Sequence, residues 1–499
     1  MKFNLRKENV LFSLICVILL CALYLSIGVV SILGLNGEVH YNNIASLTIP
    51  SIIFFIVVCI FAIWRIQLYF LLLIFVLLAF PAPVDDIFPS IYISNQDDFR
   101  SVVFPLITRI DIYLILGVVI GLLKKGGRLP LIKFPLILKL FLLLFVLVFF
   151  FNVFKSNDFW DFNLLLTYSY HIRYFILFLI LFQLFDIKKY ESQIVNSFVI
   201  SIVFLCFEAF VNTYFKEAGR LMSGSLALNT FANITGATSI FIYFLVKKKL
   251  ISKRIAYLTF LVTIVILLGS GTRGALLSVI VTLLILSVLE NPRKAAINFL
   301  KASAVFFISI IVYLYGVEQN IIPKRYSVSE ISKKVNIDFS KDGLRDIFHL
   351  EHSWETNSII SRLGLFESSL NMIEKHPLTG IGAGRWNRYK NNYLEDKSIV
   401  KVLIDSHNDY LAMMSQYGIP LGLLFSYLVF LYPVSQQIKI RGAYNGPLLY
   451  LYVINLTMGI AAFSNAGFFK HQVASVLLFS VCCLNSIYFT KDENQSISN

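Results

Sequence analysis

The chemistry open to this chain rests on a few arginines and histidines set among long apolar runs. Arg100, Arg109, Arg173, Arg220 and Arg273 stand in or beside short connectors. A polar segment, 317–408, closes on Asp405-Ser406-His407-Asn408-Asp409-Tyr410-Leu411, where the chain turns apolar again. Guanidinium is a planar fork that grips phosphate through paired hydrogen bonds, and imidazole moves protons near neutral pH. Together they describe a surface that handles anions and protons. Each has a plainer reading as well: an arginine at a helix mouth snorkels to lipid headgroups, which suits Arg100 and Arg109, and a lone histidine caps a helix or sits at an interface. Arg173 resists that reading because it lies inside an apolar run, Thr167-Tyr-Ser-Tyr-His171-Ile-Arg173-Tyr-Phe, where an unpaired charge costs about 2.5–3.5 kcal/mol near the bilayer centre. Arg273 sits in Gly269-Ser-Gly-Thr-Arg273-Gly-Ala, whose small residues let a ligand approach the backbone. Glu208, in a third apolar run, is the expected internal counter-ion for one of these arginines.

The elements that must position these groups follow from composition. With 57% hydrophobic residues, 46 Phe and only 14% charged residues, the chain is no soluble globule; it reads as an all-α polytopic membrane protein. Apolar segments near 10–34, 44–64, 66–83, 102–123, 133–153, 164–185, 193–215, 229–246, 255–270, 273–290, 297–316, 409–433, 446–463 and 472–489 predict about fourteen spanning helices. The first is too long for the apolar core of a signal peptide and reads as a span. Segments 255–270 and 273–290 are split only by Gly271-Thr272; merging them would put the basic 291–301 connector on the wrong side.

Alternate connectors are basic: Lys124-Lys125, Lys188-Lys189, Lys247-Lys248-Lys249, Arg293-Lys294, and Lys439 with Arg441. By the positive-inside rule these are cytoplasmic, as are both termini, and the 317–408 loop lies outside. The same rule accounts for the net charge of +14 without nucleic acid. All seven histidines, His40, His171, His349, His352, His376, His407 and His471, then fall on the outer side, where the cations are mainly arginine. Three regions result: a bundle of about eleven helices over 1–316, the loop over 317–408, and about three helices over 409–499. The six cysteines lie in apolar runs without paired spacing, which speaks against a disulfide framework or a zinc site. Asp85-Asp86 and Asp97-Asp98 read as a solvated acidic connector, and no metal or cofactor is expected.

Within the loop, Ile359, Leu363, Phe366, Leu370 and Ile373 mark one face of a helix over Ser358–Lys375, capped by Asn357 or Ser358 and ended by Pro377. Arg362 and Glu367 lie off that stripe. His376-Pro-Leu-Thr-Gly380-Ile-Gly382-Ala-Gly384-Arg385-Trp386 is a tight turn, serving either close packing or a ligand; lacking a strand-turn-helix context, it is no nucleotide fingerprint. His407 precedes a helix that runs into the membrane, so it stands at the aqueous rim, with Asp405 near enough in sequence to orient it.

The succession Arg362…Phe366-Glu-Ser-Ser-Leu370…His376-Pro-Leu-Thr-Gly380-Ile-Gly382-Ala-Gly384, then His407-Asn-Asp-Tyr-Leu411…Gly418-Ile-Pro-Leu-Gly422, resembles the O-antigen ligase and polymerase superfamily. Gly269-Ser-Gly-Thr-Arg273-Gly-Ala is similar to that family's Ser-Arg-Gly element, with Thr272 in place of the serine, and Arg220-Leu-Met-Ser-Gly224 is a weaker match. The resemblance covers roughly 220–425. It implies a membrane glycosyltransferase of GT-C type in the bacterial inner membrane, with a mainly helical periplasmic loop and an undecaprenyl-diphosphate-linked glycan as donor. A glycan or lipid acceptor follows, and a chain-length regulator and a flippase are implied as partner proteins. On this reading Arg273, Arg220 and Arg173 serve the diphosphate, Arg362 positions donor or loop, and Asn408 and Asp405 flank the substrate. His407 is then the acceptor-side base or orienting group, acting with inversion. Family ligases show His-Asn, nine residues, then Gly-x-x-Gly/Thr/Tyr. Here Gly418 fits, but Leu421 holds the last position and Gly422 comes one residue late, which tilts the reading from ligase to polymerase. A flippase of polysaccharide lipids is the rival from another class; it needs a polar path through the bilayer centre, and the apolar runs lack mid-span charge clusters. A peptidoglycan-type polymerase fits the loop motifs less well.

Overall fold

The structure, a computed structural model, describes residues 56–79, 91–93, 102–104, 109–127, 135–155, 162–216, 228–251, 253–290, 295–318, 354–394, 406–464, 468 and 471–497. Arg100, Arg220, Asp405, the acidic connector, the loop before 354 and the first predicted span lie outside these residues.

After a helical segment over 56–64 come α1 (Ile66–Ala79), α2 (Arg109–Lys124), α3 (Leu136–Lys155), α4 (Phe162–Leu184), α5 (Glu191–Lys216), α6 (Leu228–Lys247), α7 (Lys253–Ser270), α8 (Arg273–Glu290) and α9 (Ala295–Glu318). The polar segment contributes α10 (Trp354–Lys375), and the chain ends with α11 (Asp409–Tyr417), α12 (Ile419–Ile440), α13 (Tyr452–Ala461) and α14 (His471–Ile497). Five helices among the described residues are long and apolar enough to cross a membrane: Leu136–Lys155, Ile187–Val211, Asn229–Lys247, Ile419–Ile440 and Gln472–Phe489. Several more are apolar but shorter. One short antiparallel ribbon interrupts the helices, β1 (Ile91–Ile93) paired with β2 (Val102–Phe104), Ile91 opposite Phe104. It corrects the expectation of helix from residue 102. Val102 and Val103 are β-branched, and Pro105 disfavours helical backbone at Phe104.

Helix α4 packs between α2 and α14, α5 against α1, α6 against α7 and α13, and α8 against α13 and α9. The interior is close-packed aromatic and aliphatic, with Tyr69 stacked on Tyr113 at 4.6 Å. By contrast α3 leaves Leu143, Phe150, Phe151 and Phe154 on the surface, and α9 does the same with Phe307, Ile311 and Tyr315. Such faces are at home against lipid.

Two breaks in the C-terminal helices have local causes. Pro433 lacks an N–H and its ring displaces the carbonyl four residues back, so α12 widens into a π turn over Tyr427–Leu431. The freed Val429 carbonyl accepts a 2.7 Å hydrogen bond from Asn455 Nδ2 of α13. The second break, at Gly418, interrupts the single helix expected over 409–433. Gly418 has φ +82°, which ends α11 and starts α12 at Ile419. Helix α10 also begins four residues before the expected start, at Trp354, so Asn357 and Ser358 lie within it.

Candidate functional site

The turn at His407 is built from backbone hydrogen-bonding needs. Helix α11 has free N–H groups at its start, and Asn408 Oδ1 accepts one of them, from Leu411 N, at 3.0 Å. Asn408 Nδ2 donates to the Phe463 carbonyl at 3.2 Å, just past the end of α13. Asp409 N–H donates to the Ala462 carbonyl at 2.9 Å, and its Oδ1 accepts from Phe468 N at 3.0 Å. On the other side, buried Ser406 donates through Oγ to the Asn408 carbonyl at 2.8 Å. His407 is thus held between fixed neighbours while its own backbone sits at φ +49°, in the left-handed region, and its side chain is only partly buried. A non-glycine residue there costs on the order of 1–3 kcal/mol and persists where surrounding structure imposes it, commonly at functional sites. Both polar ends of the Asn408 amide are engaged in this turn, so Asn408 fixes the His407 backbone.

The nine-residue spacing between Asn408 and Gly418 acquires a physical meaning. Helix α11 is nine residues long, Asn408 is its N-cap and Gly418 its C-cap. The motif is one short helix with both ends specified.

The break at Gly418 leaves carbonyls at the end of α11 and an N–H at the start of α12, and the glycine turn after α10 takes them. Ile381 N donates to the Ser415 carbonyl at 2.9 Å, and Gly382 N to the Gln416 carbonyl at 3.0 Å; the Ile419 N–H reaches the Pro377 carbonyl at 2.7 Å. Gly384 N donates to Gln416 Oε1 at 2.7 Å, and Asn152 Nδ2 of α3 holds the Thr379 carbonyl at 2.9 Å. A Cβ on Gly380 would stand 2.4 Å from the Gln416 carbonyl carbon, and one on Gly418 would stand 2.3 Å from the Leu378 oxygen. Of the two readings of this turn, packing is the one these contacts support. Gly380→Ala and Gly418→Ala combine positive φ with a backbone clash, so each is expected to destabilise by at least about 1–3 kcal/mol. Gly442→Ala, which meets nothing within 4 Å, should be neutral. Thermal unfolding of the three purified variants checks this.

Beyond the turn, α10 and residues 381–394 share a small core of Leu365, Met372, Ile381, Trp386 and Leu394. Trp386 Nε1 donates to Ser369 Oγ at 3.0 Å. Arg362 is exposed on α10. The segment is therefore a compact layer seated on α11.

Arg273 is the first residue of α8 and is exposed, directly after Gly271 (φ +67°) and buried Thr272. Thr272 N donates to Ser270 Oγ at 3.3 Å, which completes the turn and separates α7 from α8. The residue lies on the helix that packs against α13, whose C-terminal end holds the His407 turn.

Arg173 Nη2 pairs with Asp111 Oδ2 at 2.8 Å. Sequence reasoning named only Glu208 as an internal counter-ion and did not single out Asp111, which stands in the first turn of α2. Glu208 is itself buried, as is Arg109. Arg173 lies eleven residues into α4, about 16 Å along its axis, yet meets the first turn of α2. Helix α2 therefore starts level with the middle of α4. Asp111→Asn removes the carboxylate of a largely buried pair, with side chains 5% and 22% exposed, so the cost should fall towards the low end of about 3–5 kcal/mol. Melting temperatures should show that loss, and Asp111→Ala with Arg173→Leu should recover most of it.

His171, two residues before Arg173, is buried; its Nδ1 lies 3.1 Å from Tyr417 Oη. Its ring stacks on Phe468 at 4.8 Å, 6° from parallel. Because Phe468 N also binds Asp409, His171 supports the His407 turn from below. Nothing in the local sequence signals this link, which joins residues 246 apart.

The described residues contain no group of three or more His, Cys, Asp or Glu arranged to hold a metal ion. Residues 258–426, about a third of the chain, match the family model described as O-Antigen ligase, which takes in Arg273, Arg362, Asp405, His407 and Asn408 and leaves out Arg173 and Arg220. The match bears out the resemblance to the O-antigen ligase and polymerase superfamily. No curated protein matches the chain.

Proposed function

Because the chain carries a domain of the O-antigen ligase family over residues 258–426, we propose that it polymerises undecaprenyl-diphosphate-linked oligosaccharide repeat units into O-antigen or a related surface polysaccharide at the outer face of the cytoplasmic membrane. The observation that carries the reading is that this one domain contains both the Arg273 helix start and the His407 turn, with His407 held at positive φ between anchored neighbours.

In the proposed reaction an acceptor sugar hydroxyl attacks the anomeric carbon of the donor. The new C–O bond forms as the anomeric carbon–diphosphate bond breaks, the lipid diphosphate leaves with the electron pair, and His407 takes the hydroxyl proton. Inversion follows from attack opposite the leaving group. Arg273 and Arg220 stabilise the departing diphosphate, since preorganised charge at a developing anion is commonly the largest catalytic contribution. Arg173 also belongs near the diphosphate in this scheme, with Asp111 fixing its guanidinium. Arg362 positions the donor or the loop, and Asp405 orients His407. The surrounding architecture is about fourteen spans with both termini cytoplasmic and 317–408 outside. A reporter fused at Asn336 should therefore read outside, and fusions at Lys248 and Ile440 inside; a cytoplasmic signal at Asn336 would overturn that orientation.

The ligase is the second reading, favoured by the His407-Asn408 to Gly418 spacing. Against it stands Gly422. Its Cα approaches α11 so closely that a Cβ would lie 2.7 Å from Met414 Cα, while Leu421 is fully buried. Glycolipid analysis after gene deletion separates the classes: single-repeat glycans mean a polymerase, full-length glycan stranded on its carrier a ligase, and carrier-linked units trapped inside a flippase.

A further inference from the structure

Where the glycine turn meets α3, two cations converge on one imidazole beside an exposed apolar edge. Lys155, the last residue of α3, places Nζ 3.1 Å from His376 Nδ1, and Lys375 stands next to that histidine with its ammonium 5.1 Å from the Tyr393 ring centre. An ammonium only donates, so Nδ1 accepts from Lys155, and the ring proton on Nε2 points to Tyr393 Oη, 2.9 Å away. Burial, together with the two lysines, holds His376 below the usual histidine range, which keeps this neutral tautomer in place. Among the described residues no carboxylate lies within ion-pair distance of Lys155 or Lys375. Phe154 is 76% exposed and Leu378 70% exposed, and they continue the lipid-facing strip of Phe150 and Phe151 on α3. Asn152 and Lys155 both bond the 376–379 turn, so Leu378 sits beside the end of that strip.

We propose that this corner binds the phosphate of an anionic phospholipid in the leaflet that meets the Lys155 end of α3, with Lys155 and Lys375 as the cationic pair and Phe154 and Leu378 in the acyl region. Charge complementarity and continuity with the apolar face of α3 both select this occupant. A soluble anion would have no use for the exposed Leu378, and a neutral lipid none for two ammonium groups that have no carboxylate partner among the described residues. Juxtamembrane lysines attract anionic headgroups in this way. The consequence is that the glycine turn, and through it α11, is docked to the bilayer as well as to the bundle. The site is independent of the glycan reaction proposed above, and either can fail alone.

The test uses the full-length protein in nanodiscs of phosphatidylglycerol or of phosphatidylcholine. A nitroxide on Leu378→Cys should collide with oxygen and be shielded from a water-soluble nickel chelate, as at Leu423→Cys on the exposed flank of α12, whereas Asn392→Cys should behave as an aqueous reference. Phosphatidylglycerol retained through detergent extraction, read by native mass spectrometry, should fall about fivefold for each of Lys155→Gln and Lys375→Gln. Added inorganic phosphate should not displace it. An aqueous signal at position 378, unchanged lipid retention in the double variant, or displacement by free phosphate would each overturn the proposal.

Discussion

Arg273→Lys is expected to cut glycan product by about 10²–10³-fold, the usual cost of losing one preorganised donor to a developing anion, while the protein accumulates in the membrane at normal levels. Position 273 is exposed at the first turn of α8, so a shorter cation there disturbs little packing. What it loses is geometry: an ammonium is a point charge and cannot present two parallel N–H groups to a diphosphate. The check is product per unit of membrane-embedded protein in a deletion background. Near-normal product from the lysine variant would reduce Arg273 to a general electrostatic contribution.

His407→Ala is expected to lower the rate by about 10²–10⁴-fold, the range for loss of a general base. The anchors of the turn are the side chains of Ser406, Asn408 and Asp409 and the backbone of Ala462, Phe463 and Phe468, so alanine at 407 leaves them in place. Alanine also keeps the backbone strain, and expression should survive. His349→Ala, in the less patterned part of the loop, should be nearly silent. Normal product from His407→Ala alongside loss from His349→Ala would move the active site elsewhere in the loop.

What the sequence revealed depended on whether the cause was local. The bounds of α8, 273–290, could be read directly because Gly269-Ser-Gly-Thr is a small-residue turn between apolar runs. The end of α10 at Lys375 followed from Pro377. The break at Gly418 was hidden because Gly-Ile-Pro-Leu reads as apolar continuation; only the glycine turn after α10, by supplying Ile381 and Gly382 N–H groups, makes the interruption tolerable. The same holds for the glycines themselves, whose spacing suggests packing or ligand equally well until Gln416 and Leu378 are seen beside them. Arg173 was singled out from its cost in an apolar run, but its partner Asp111 required the packing of α2 on α4. His171 gave no local sign of its part in supporting Phe468 and the His407 turn.

The central claim is that this chain alone joins lipid-diphosphate-linked repeat units. It is tested most directly by the purified full-length protein in proteoliposomes supplied with a single-repeat undecaprenyl-diphosphate glycan. The account predicts a ladder of products lengthening by one repeat, with one lipid diphosphate released per bond formed, and no ladder from His407→Ala. Turnover that occurs only when lipid A-core is added, giving transfer without lengthening, would contradict it.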